Sequence, residues 1–454
     1  MIPITLTKLA KITKGYIRNT VKTELFIESI SINSNKIERN SLFIALKGNR
    51  FDAHEFVFKA VNNGAKALLL ERQIDINCPQ IIVKNTRHAI GNLATWVCQQ
   101  SNVCVIGLTG SSGKTSVKEM TASILSRYNN TLYTIGNLNN DIGVSITLFR
   151  LTTKYKFAVI EIGANNQGEI KYITNIIKPK IALVNNLFDA HLTGFGTKNK
   201  LAKEKGEIYQ GLSDTGTAIV NIDSFSKKWI FKQNQTILYY SLTKNQKVDF
   251  YPTDIKLKKL TTNFILHTPI GYTKIILHLP GIHNISNALA ASALSFSVGA
   301  TLEHIKNGLS KIQPMIGRLY PIFLDKNKIL LDDTYNSNVG SMIAAINTLT
   351  SLPGHRVLVI SDMLELGDHS CKLHRKIALI AKKEKINKIL SIGKFNEIVS
   401  KYNDNWEHFN CKKKLLIKLI CLIENNDVIS VLVKGSRISV MENIIESLKE
   451  YFKC

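Results

Sequence analysis

The chain contains a short run of residues whose types and order fit the binding of an anion. Gly107, Gly110 and Gly113 are separated mainly by small polar residues, and Lys114 and Thr115 follow directly after the last glycine. Glycines let the backbone turn several N–H groups toward one anion, and the N-terminus of a following helix adds partial positive charge. The lysine can then contact the outer phosphates while the threonine hydroxyl ligates Mg²⁺. The run therefore predicts a phosphate-binding loop for a nucleotide.

The glycine spacing of this loop departs from the commonest nucleotide-binding pattern. That pattern has a glycine five residues before the glycine of the Gly-Lys pair, a position that Leu108 occupies here. An ordinary strand-to-helix turn is also rich in Gly and Ser and is the simpler alternative. We favour the phosphate loop because an apolar segment, the loop, the Lys-Thr pair and helix signals follow in the order that binding requires.

Two polar residues follow apolar segments in the central part of the chain. Glu161 comes after the apolar run 157–160, where its carboxylate can hold a second Mg²⁺ through oxygen. A solvated loop acid explains this residue equally well. His191 follows another apolar run, and there a ligand role competes with that of an ordinary loop histidine. Both residues are candidate metal ligands beside Thr115.

Asparagine and lysine residues on two predicted helices are further candidates. Asn284 and Asn287 lie three residues apart near the start of a helix, so they share a face and can recognise an adenine edge or a substrate amide. Helix capping explains one of the two at most. Lys203 and Lys205 lie on a second helix, where most lysines are exposed. Their spacing does not decide between a surface role and a site role.

The C-terminal third carries a second group of polar residues. An arginine in a predicted linker can swing onto a phosphoryl group as domains close. Acidic and amide residues follow the apolar strand 329–331, although paired acids there are usually turn formers. A Lys-Gly-Ser-Arg run follows 429–433 and is predicted to open the last helix, which makes a site for a substrate carboxylate. These residues are Arg318, Asp332, Asp333, Tyr335, Asn336, Lys434, Gly435, Ser436 and Arg437.

The elements that must position these residues alternate between strands and helices. Apolar runs at 156–162 and 180–185 fit buried parallel strands, so the polar residues after them should face the phosphate loop at the carboxyl edge of a doubly wound sheet. Short alternating segments at 248–279 predict antiparallel strands, followed by a helix from about 283 to 298. Because 454 residues exceed one ordinary core, we predict several domains. The predicted α/β domains are 1–100, 101–312 and 313–454, with a linker near 313–318.

The formal charge of +25 arises from 59 Lys and Arg residues against 34 Asp and Glu residues. Lysine-rich surfaces bind nucleic-acid backbones, but here the lysines are spread along the chain and no basic patch carries interleaved aromatics. We therefore favour solvated basic faces that result from compositional bias, and we expect no nucleic-acid partner. A polyanionic small substrate suits the same charge.

Membrane and redox signals are weak in this sequence. No run of about 18 apolar residues is present, and the N-terminus lacks the layout of a signal peptide. We therefore expect a cytoplasmic protein without stable membrane insertion, and we predict a monomer. The seven cysteines form no Cys-x-x-Cys pair, which argues against a disulfide framework and a structural zinc site. We predict free thiols.

Several segments together resemble the Mur ligases, the ATP-dependent amide ligases of peptidoglycan precursor assembly. The loop form Gly-x-Thr-Gly-x-x-Gly-Lys-Thr is typical of that family and accounts for Leu108. The likeness runs in one collinear order over nearly the whole chain, which a shared nucleotide fold alone does not produce. It is carried by the segments Leu42–Phe51, Gly107–Met120, Gly136–Gly143, Glu161–Ile170, Gly281–Ala291, Asp332–Ser341, Asp362–Gly367 and Val433–Arg437.

The resemblance implies a fold and a reaction. The fold is α/β with three domains: an N-terminal UDP-sugar-binding domain, a central P-loop domain with a doubly wound, mostly parallel sheet, and a C-terminal Rossmann-like domain. In the implied reaction, ATP and Mg²⁺ drive the joining of D-alanyl-D-alanine to UDP-N-acetylmuramoyl-tripeptide through an acyl phosphate. The third residue of the tripeptide, meso-diaminopimelate or lysine, stays open.

The resemblance also implies roles for individual residues. Catalysis would rest on Lys114, Arg318 and Lys205, which matches the family lysine that is carbamylated in related ligases. The metal ligands would be Thr115, Glu161 and His191. The substrate-binding residues would be Lys47, Asn336, Lys434, Ser436 and Arg437. The ATP-binding residues would be Gly107, Leu108, Thr109, Gly110, Ser111, Ser112, Gly113, Lys114, Thr115, Ser116, Asn284, Asn287, Arg318 and Asp333.

Two segments depart from the family pattern. Asn33, Ser34 and Asn35 stand where the family often has Asp-Ser-Arg, so a charge contact to the uridine nucleotide is missing or replaced. Val339 stands where a proline is usual, which loosens a turn without removing a functional group. The alternative functions are those of a sibling Mur ligase or a folylpolyglutamate synthetase, and that of a basic nucleic-acid-binding ATPase.

Overall fold

Three sheets that are wholly or mostly parallel follow one another along the chain. The computed structural model describes residues 1–19, 24–48, 51–188, 197–226, 229–245, 247–401 and 403–453. The first sheet has the order β2-β7-β6-β5-β4, with β2 antiparallel to its neighbour. The N-terminal elements are β1 (Ile4–Thr5), α1 (Leu6–Thr13), β2 (Tyr16–Arg18), β3 (Phe26–Ile27), β4 (Ser29–Ser31), β5 (Ser41–Ile44), α2 (Val57–Asn62), β6 (Ala67–Leu70), β7 (Gln80–Ile82) and α3 (Thr86–Gln100).

The central sheet is parallel throughout, in the order β13-β12-β11-β8-β10-β9. Its middle strands are apolar and buried because helices cover both faces. The chain order reverses on either side of β8, so the carboxyl end of β8 is where a ligand crevice is expected. The elements are β8 (Cys104–Thr109), α4 (Lys114–Leu125), β9 (Thr131–Tyr133), α5 (Asp141–Phe149), β10 (Phe157–Glu161), α6 (Glu169–Ile177), β11 (Ile181–Val184), α7 (Lys198–Gln210), β12 (Thr217–Asn221) and β13 (Thr236–Tyr240).

A three-stranded antiparallel sheet follows the central parallel sheet, as the alternating sequence predicts. Two helices then close the central part, and the first of them begins one residue after Gly281. These elements are β14 (Tyr251–Leu257), β15 (Thr262–Thr268), β16 (Gly271–Leu277), α8 (Ile282–Phe296) and α9 (Leu302–Ser310).

The C-terminal sheet has the order β17-β18-β22-β19-β20-β21, with only β17 antiparallel to its neighbour. The predicted α/β class is therefore confirmed. The predicted boundaries at 100/101 and 312/313 fall directly after α3 and two residues after α9, and they remain predictions. The elements are β17 (Tyr320–Asp325), β18 (Lys328–Asp333), α10 (Val339–Thr350), β19 (His355–Ile360), α11 (Ser370–Lys383), β20 (Lys388–Ser391), α12 (Lys394–Ser400), β21 (Trp406–His408), α13 (Lys412–Glu424), β22 (Ile429–Lys434) and α14 (Glu442–Phe452).

Two local predictions were wrong. Asp332 and Asp333 do not follow their strand but are its last two residues. The 434–437 run does not open the final helix, which begins eight residues after Lys434. A short 3₁₀ turn comes first, and Val440 then adopts a left-handed φ of 46°, which a continuous helix does not allow.

One hydrophobic core joins the N-terminal sheet layer to the central one. Helix α3 packs against α5 and α6 through buried aliphatic residues such as Leu93, Val144 and Ile173. This packing places the start of α3 beside the start of α5. Of the described helices, none is long and apolar enough to cross a membrane. The six cysteines in the described ranges are free thiols, as predicted.

Candidate active site

The phosphate loop connects β8 to α4 and has the backbone that its glycines predict. Gly110 (φ 156°) and Gly113 (φ 75°) adopt angles that residues with a side chain rarely take. Gly113 is also confined sterically, since a Cβ there would lie 2.5 Å from Oδ1 of Asn287. Lys114 is the first residue of α4, and its Nζ donates to the Gly110 carbonyl at 2.9 Å. The loop thus presents a helix N-terminus and a lysine side by side.

Residues directly after β11 face this loop, as predicted. Asn186 Oδ1 accepts a hydrogen bond from the Ser112 N–H at 2.8 Å, and Asn185 Nδ2 donates to the Ser112 carbonyl at 3.0 Å. Asn185 also donates to Asn287 Oδ1 at 3.1 Å, and Asn287 donates to Asn284 Oδ1 at 3.2 Å. The two predicted helix asparagines are therefore buried supports of the loop through a chain of amides.

Arg318 lies between the phosphate loop and the C-terminal sheet. Its Nη2 donates to the Thr115 hydroxyl at 2.9 Å, and its guanidinium lies 4.1 Å from the ring centroid of Tyr335. Burial lowers the pKa of nearby Lys114, Glu161 opposes this shift, and Arg318 adds to it. Two cations therefore converge on the loop with one carboxylate, which is an arrangement suited to a polyphosphate.

Glu161 is the last residue of β10 and is only 2% exposed. Its Oε1 accepts from Asn139 Nδ2 at 2.9 Å, whereas its Oε2 is buried without a hydrogen-bond partner. Burial of a carboxylate oxygen without a hydrogen-bond partner destabilises the protein unless a cation or a donor binds that oxygen. The side chain therefore fits a role as a Mg²⁺ ligand. Across the described ranges, no three His, Cys, Asp or Glu side chains cluster as metal ligands, and Mg²⁺ commonly uses one or two carboxylates plus substrate phosphates.

Helix α7 distinguishes the two lysines that sequence spacing could not separate. Lys203 is exposed, whereas Lys205 is buried and lines the cavity described below. Burial lowers the pKa of Lys205 to about 7, repulsion from Lys114 adds to the shift, and Glu204 opposes it. Lys205 therefore carries a partly neutral, nucleophilic amine near neutral pH.

The C-terminal sheet contributes a buried ion pair. Lys434 Nζ donates to Asp333 Oδ2 at 2.6 Å and to the Asn336 carbonyl at 2.9 Å. Burial raises the pKa of Asp333, and Lys434 is the largest opposing influence. Burial and then Lys434 lower the pKa of His283 on α8 to about 4, so this imidazole is neutral at physiological pH.

Sequence reasoning missed a contact between the phosphate loop and α10. Asn338 caps α10, and its amide also meets the Ser112 hydroxyl, with Nδ2 to Oγ at 3.0 Å. Gly340 lies against the ring of Phe188, where a Cβ would come within 2.3 Å. The capping position of Asn338 was readable from the sequence, but its contact to Ser112, 226 residues away, was not.

Most of these groups line one cavity of about 1130 Å³. Its walls come from all three sheet regions: Arg87 at the start of α3, Lys114 and Glu161 in the centre, and Asp333 and Lys434 at the C-terminal sheet. A cavity of this size accommodates a nucleotide together with part of a second ligand.

The remaining predicted residues fall into three groups. His191 lies outside the described residues. Gly107, Leu108 and Thr109 belong to β8 itself, where the Thr109 hydroxyl donates to the Ile162 carbonyl at 2.8 Å. Lys47, Ser436 and Arg437 do not line the cavity, and their substrate roles remain predictions. Lys47 and Arg437 are exposed, and Arg437 pairs with Glu442 at 2.9 Å.

The α/β architecture and the phosphate loop in this cavity define a nucleotide-binding protein, and comparison with family models gives its class. The Mur ligase middle domain matches residues 108–295, and the Mur ligase glutamate ligase domain matches residues 317–437. The Mur ligase family catalytic domain matches residues 26–97. Together with the relatives below, these matches show that the chain belongs to the Mur ligase family.

Individual relatives resemble the chain over its whole length. The UDP-N-acetylmuramoyl-tripeptide--D-alanyl-D-alanine ligase of Escherichia coli (strain K12) is 48% identical over 464 aligned positions, covering 100% of both chains. The protein of the same name from Buchnera aphidicola subsp. Acyrthosiphon pisum is 44% identical, covering 99% of this chain and 98% of that one. A crystal structure of MurF from Acinetobacter baumannii superposes with a TM-score of 0.93 at 37% identity, covering 99% of each chain.

Proposed function

We propose that the cavity is the site at which ATP drives the addition of D-alanyl-D-alanine to UDP-N-acetylmuramoyl-tripeptide, which gives the UDP-muramoyl-pentapeptide. The full-length relatives named for this reaction support the assignment. The observation that carries it in the structure is the meeting of Lys114, Glu161 and Arg318 at a phosphate loop inside a cavity lined by all three sheet regions.

The chemistry requires activation of a carboxylate, which is a poor electrophile. The terminal carboxylate of the tripeptide attacks the γ-phosphorus of ATP, and ADP leaves. The resulting acyl phosphate is attacked at carbon by the dipeptide amine, the amine loses a proton, and phosphate leaves with the former carboxylate oxygen. Lys114 and Arg318 stabilise the charge on the transferring phosphoryl group. Closure of the domains around the acyl phosphate would exclude water from it.

Thr115 and Glu161 are the described residues that would hold Mg²⁺, and His191 is predicted to join them. Thr115 and Glu161 supply oxygen donors, which Mg²⁺ prefers, and the unpartnered Oε2 of Glu161 fits a ligand role. Bound Mg²⁺ would neutralise charge on the phosphates. Lys205 lines the same cavity and would act near Lys114, either as the amine or as a carbamate.

The N-terminal and C-terminal regions of the chain would bind different substrates. Asn336 and Lys434 lie at the C-terminal sheet and contact each other. The incoming dipeptide would bind to these two residues and to Ser436 and Arg437. The UDP-sugar would contact the N-terminal domain near Lys47. The net positive charge of the chain attracts this polyanionic substrate.

An acceptor screen tests the assignment. Phosphate release from ATP with the UDP-tripeptide is expected to require D-alanyl-D-alanine, and Lys114→Ala is expected to abolish it. Faster release with a single amino acid would indicate a sibling ligase, and glutamate addition to a folate would indicate a folylpolyglutamate synthetase. Stimulation by DNA or RNA with steep salt dependence would instead indicate a nucleic-acid-binding ATPase.

A further inference from the structure

An ion pair connects the N-terminal domain to the central domain at the cavity wall. Arg87, the second residue of α3, makes two hydrogen bonds to Asp141, the first residue of α5, and the Nη2–Oδ1 distance is 2.8 Å. Both residues line the cavity. The bonds use Nε and Nη2 of the guanidinium, and no hydrogen bond of Nη1 is seen within the described part of the chain. Arg87 is 58% exposed, so its free edge is open to a ligand.

The pair is connected to Glu161 through a short stretch of chain and lines the same cavity. Asp141 is two residues from Asn139, whose amide holds the carboxylate of Glu161 at 2.9 Å. One hydrogen bond, from Asn139 to Glu161, and two residues of chain therefore connect the candidate metal ligand Glu161 to Asp141. Glu169 and Tyr172 of α6 complete this part of the wall, and Tyr172 packs edge-on against His88.

In the proposed reaction, the third residue of the tripeptide lies at the phosphoryl-transfer site. Its α-carboxylate is the group that is activated, so its side chain extends from the phosphoryl-transfer site toward a neighbouring wall. This side chain ends in an ammonium alone if the residue is lysine. If the residue is meso-diaminopimelate, it ends in both an ammonium and a carboxylate. Only the second terminus matches a wall that presents a guanidinium and a carboxylate together.

We propose that Arg87 and Asp141 read the side-chain terminus of the third residue and select one that carries both an ammonium and a carboxylate. This inference rests on the proposed function and assigns specificity within the same site. The Arg87 guanidinium binds the substrate carboxylate in a planar fork, while Asp141 binds the ammonium. A lysine side chain could place its ammonium at Asp141, near Glu169, but it would leave the free edge of the Arg87 guanidinium without a carboxylate to bind.

A purely structural role for the pair is the alternative, and the chain offers a matched control. Arg72 is 57% exposed, lies in the same N-terminal domain and pairs with Asp52 at 2.9 Å, but it does not line the cavity. Arg72→Gln therefore removes an equivalent surface ion pair without touching the wall. A structural tie would make Arg87→Gln affect both tripeptides to the same extent.

The test measures kcat/KM with two UDP-tripeptides, one ending in meso-diaminopimelate and one in L-lysine, for wild type, Arg87→Gln and Arg72→Gln. The wild type and Arg72→Gln are expected to prefer the diaminopimelate substrate. Arg87→Gln is expected to lose about 10- to 100-fold of that preference, mainly through KM for the diaminopimelate tripeptide, with KM for ATP unchanged. If Arg87→Gln does not fold, Arg87→Lys, which keeps the charge but not the planar fork, is expected to reduce the preference in the same direction.

Two results would overturn the proposal. One is a wild type that turns over both tripeptides without preference, and the other is an Arg87 variant that slows both equally. Either result leaves the D-alanyl-D-alanine ligase assignment standing. A wild type that releases no phosphate with either tripeptide and the dipeptide would instead overturn the proposed function, and the specificity proposal with it.

Discussion

Arg318 of the C-terminal domain donates a hydrogen bond of 2.9 Å to the hydroxyl of Thr115, which is 203 residues earlier in the chain and begins the helix after the phosphate loop together with Lys114. The guanidinium thus contacts the oxygen that would ligate Mg²⁺. Binding of the metal and nucleotide would require both groups to exchange partners, with Thr115 turning to the metal and Arg318 to a phosphate. The domain interface and the nucleotide site therefore share the same atoms.

Substitutions of Arg318 are expected to distinguish the effect of its charge on kcat from the effect of its planar guanidinium. Arg318→Ala should lower kcat by about 10²- to 10³-fold, because one cation that stabilises the transferring phosphoryl group is lost. Arg318→Lys should recover only part of this loss, since an ammonium lacks the planar fork and the stacking on Tyr335. Steady-state phosphate release measures both effects, and equal activity of the two variants would contradict the role.

Removal of the unpartnered carboxylate is expected to change the metal requirement. Glu161→Gln keeps the shape and the contact to Asn139 but removes the negative charge, so half-saturation with Mg²⁺ should rise by about 10- to 100-fold. Mg²⁺ titrations of nucleotide binding would measure this shift. The matched control is Glu303→Gln on α9, an exposed acid away from the cavity, which should leave the titration unchanged. An unaltered Mg²⁺ requirement in Glu161→Gln would rule out the ligand role.

Lys205 is expected to form a carbamate with CO₂ in a pH-dependent manner. Its pKa of about 7 means that the amine is mostly protonated at pH 6 and mostly neutral at pH 8. Only the neutral amine reacts with CO₂, so the yield of carbamate should rise with pH over this range. Carbon-13 NMR with labelled CO₂ can detect the adduct. The signal should disappear in Lys205→Arg and persist in Lys203→Arg, and the reverse pattern would refute the assignment.

The contact of Gly340 with Phe188 is expected to make closure of the C-terminal domain sensitive to one methyl group. Gly340→Ala would place a Cβ 2.3 Å from the ring of Phe188, so α10 and the segment after β11 that carries Phe188 must move apart. We expect kcat/KM for ATP to fall about tenfold. Phe188→Ala combined with Gly340→Ala should restore most of the loss, whereas Gly48→Ala, where space is available, should have no effect. Additive losses in the double variant would argue against the contact.

Local sequence patterns were sufficient to locate the ends of β10 and β11 in the central sheet. Apolar runs mark buried parallel strands, so Glu161 and Asn186 could be placed at the carboxyl edge beside the loop before the fold was known. The helical register of α7 also contained the signal for Lys205, which lies four residues from buried Leu201 and three from buried Ile208. This register indicates a buried position for Lys205, but the general tendency of lysines to be exposed left the choice between Lys203 and Lys205 open.

Other features depend on packing between distant segments and left no local signal. The bond from Asn338 to Ser112 joins positions 226 residues apart, and each residue alone reads as a helix cap or a loop serine. The delayed start of α14 depends on the left-handed backbone of Val440, a β-branched residue that is rare in that conformation. Residue propensity therefore predicted the wrong helix boundary there.

The most direct test of the central claim follows an oxygen atom from the tripeptide. The terminal carboxylate is labelled with ¹⁸O, and the enzyme is supplied with ATP, Mg²⁺ and D-alanyl-D-alanine. If the carboxylate is activated as an acyl phosphate in this cavity, each pentapeptide formed should release one phosphate that carries one ¹⁸O atom, and omission of the dipeptide should prevent that release. Unlabelled phosphate, or release that does not depend on D-alanyl-D-alanine, would contradict the account.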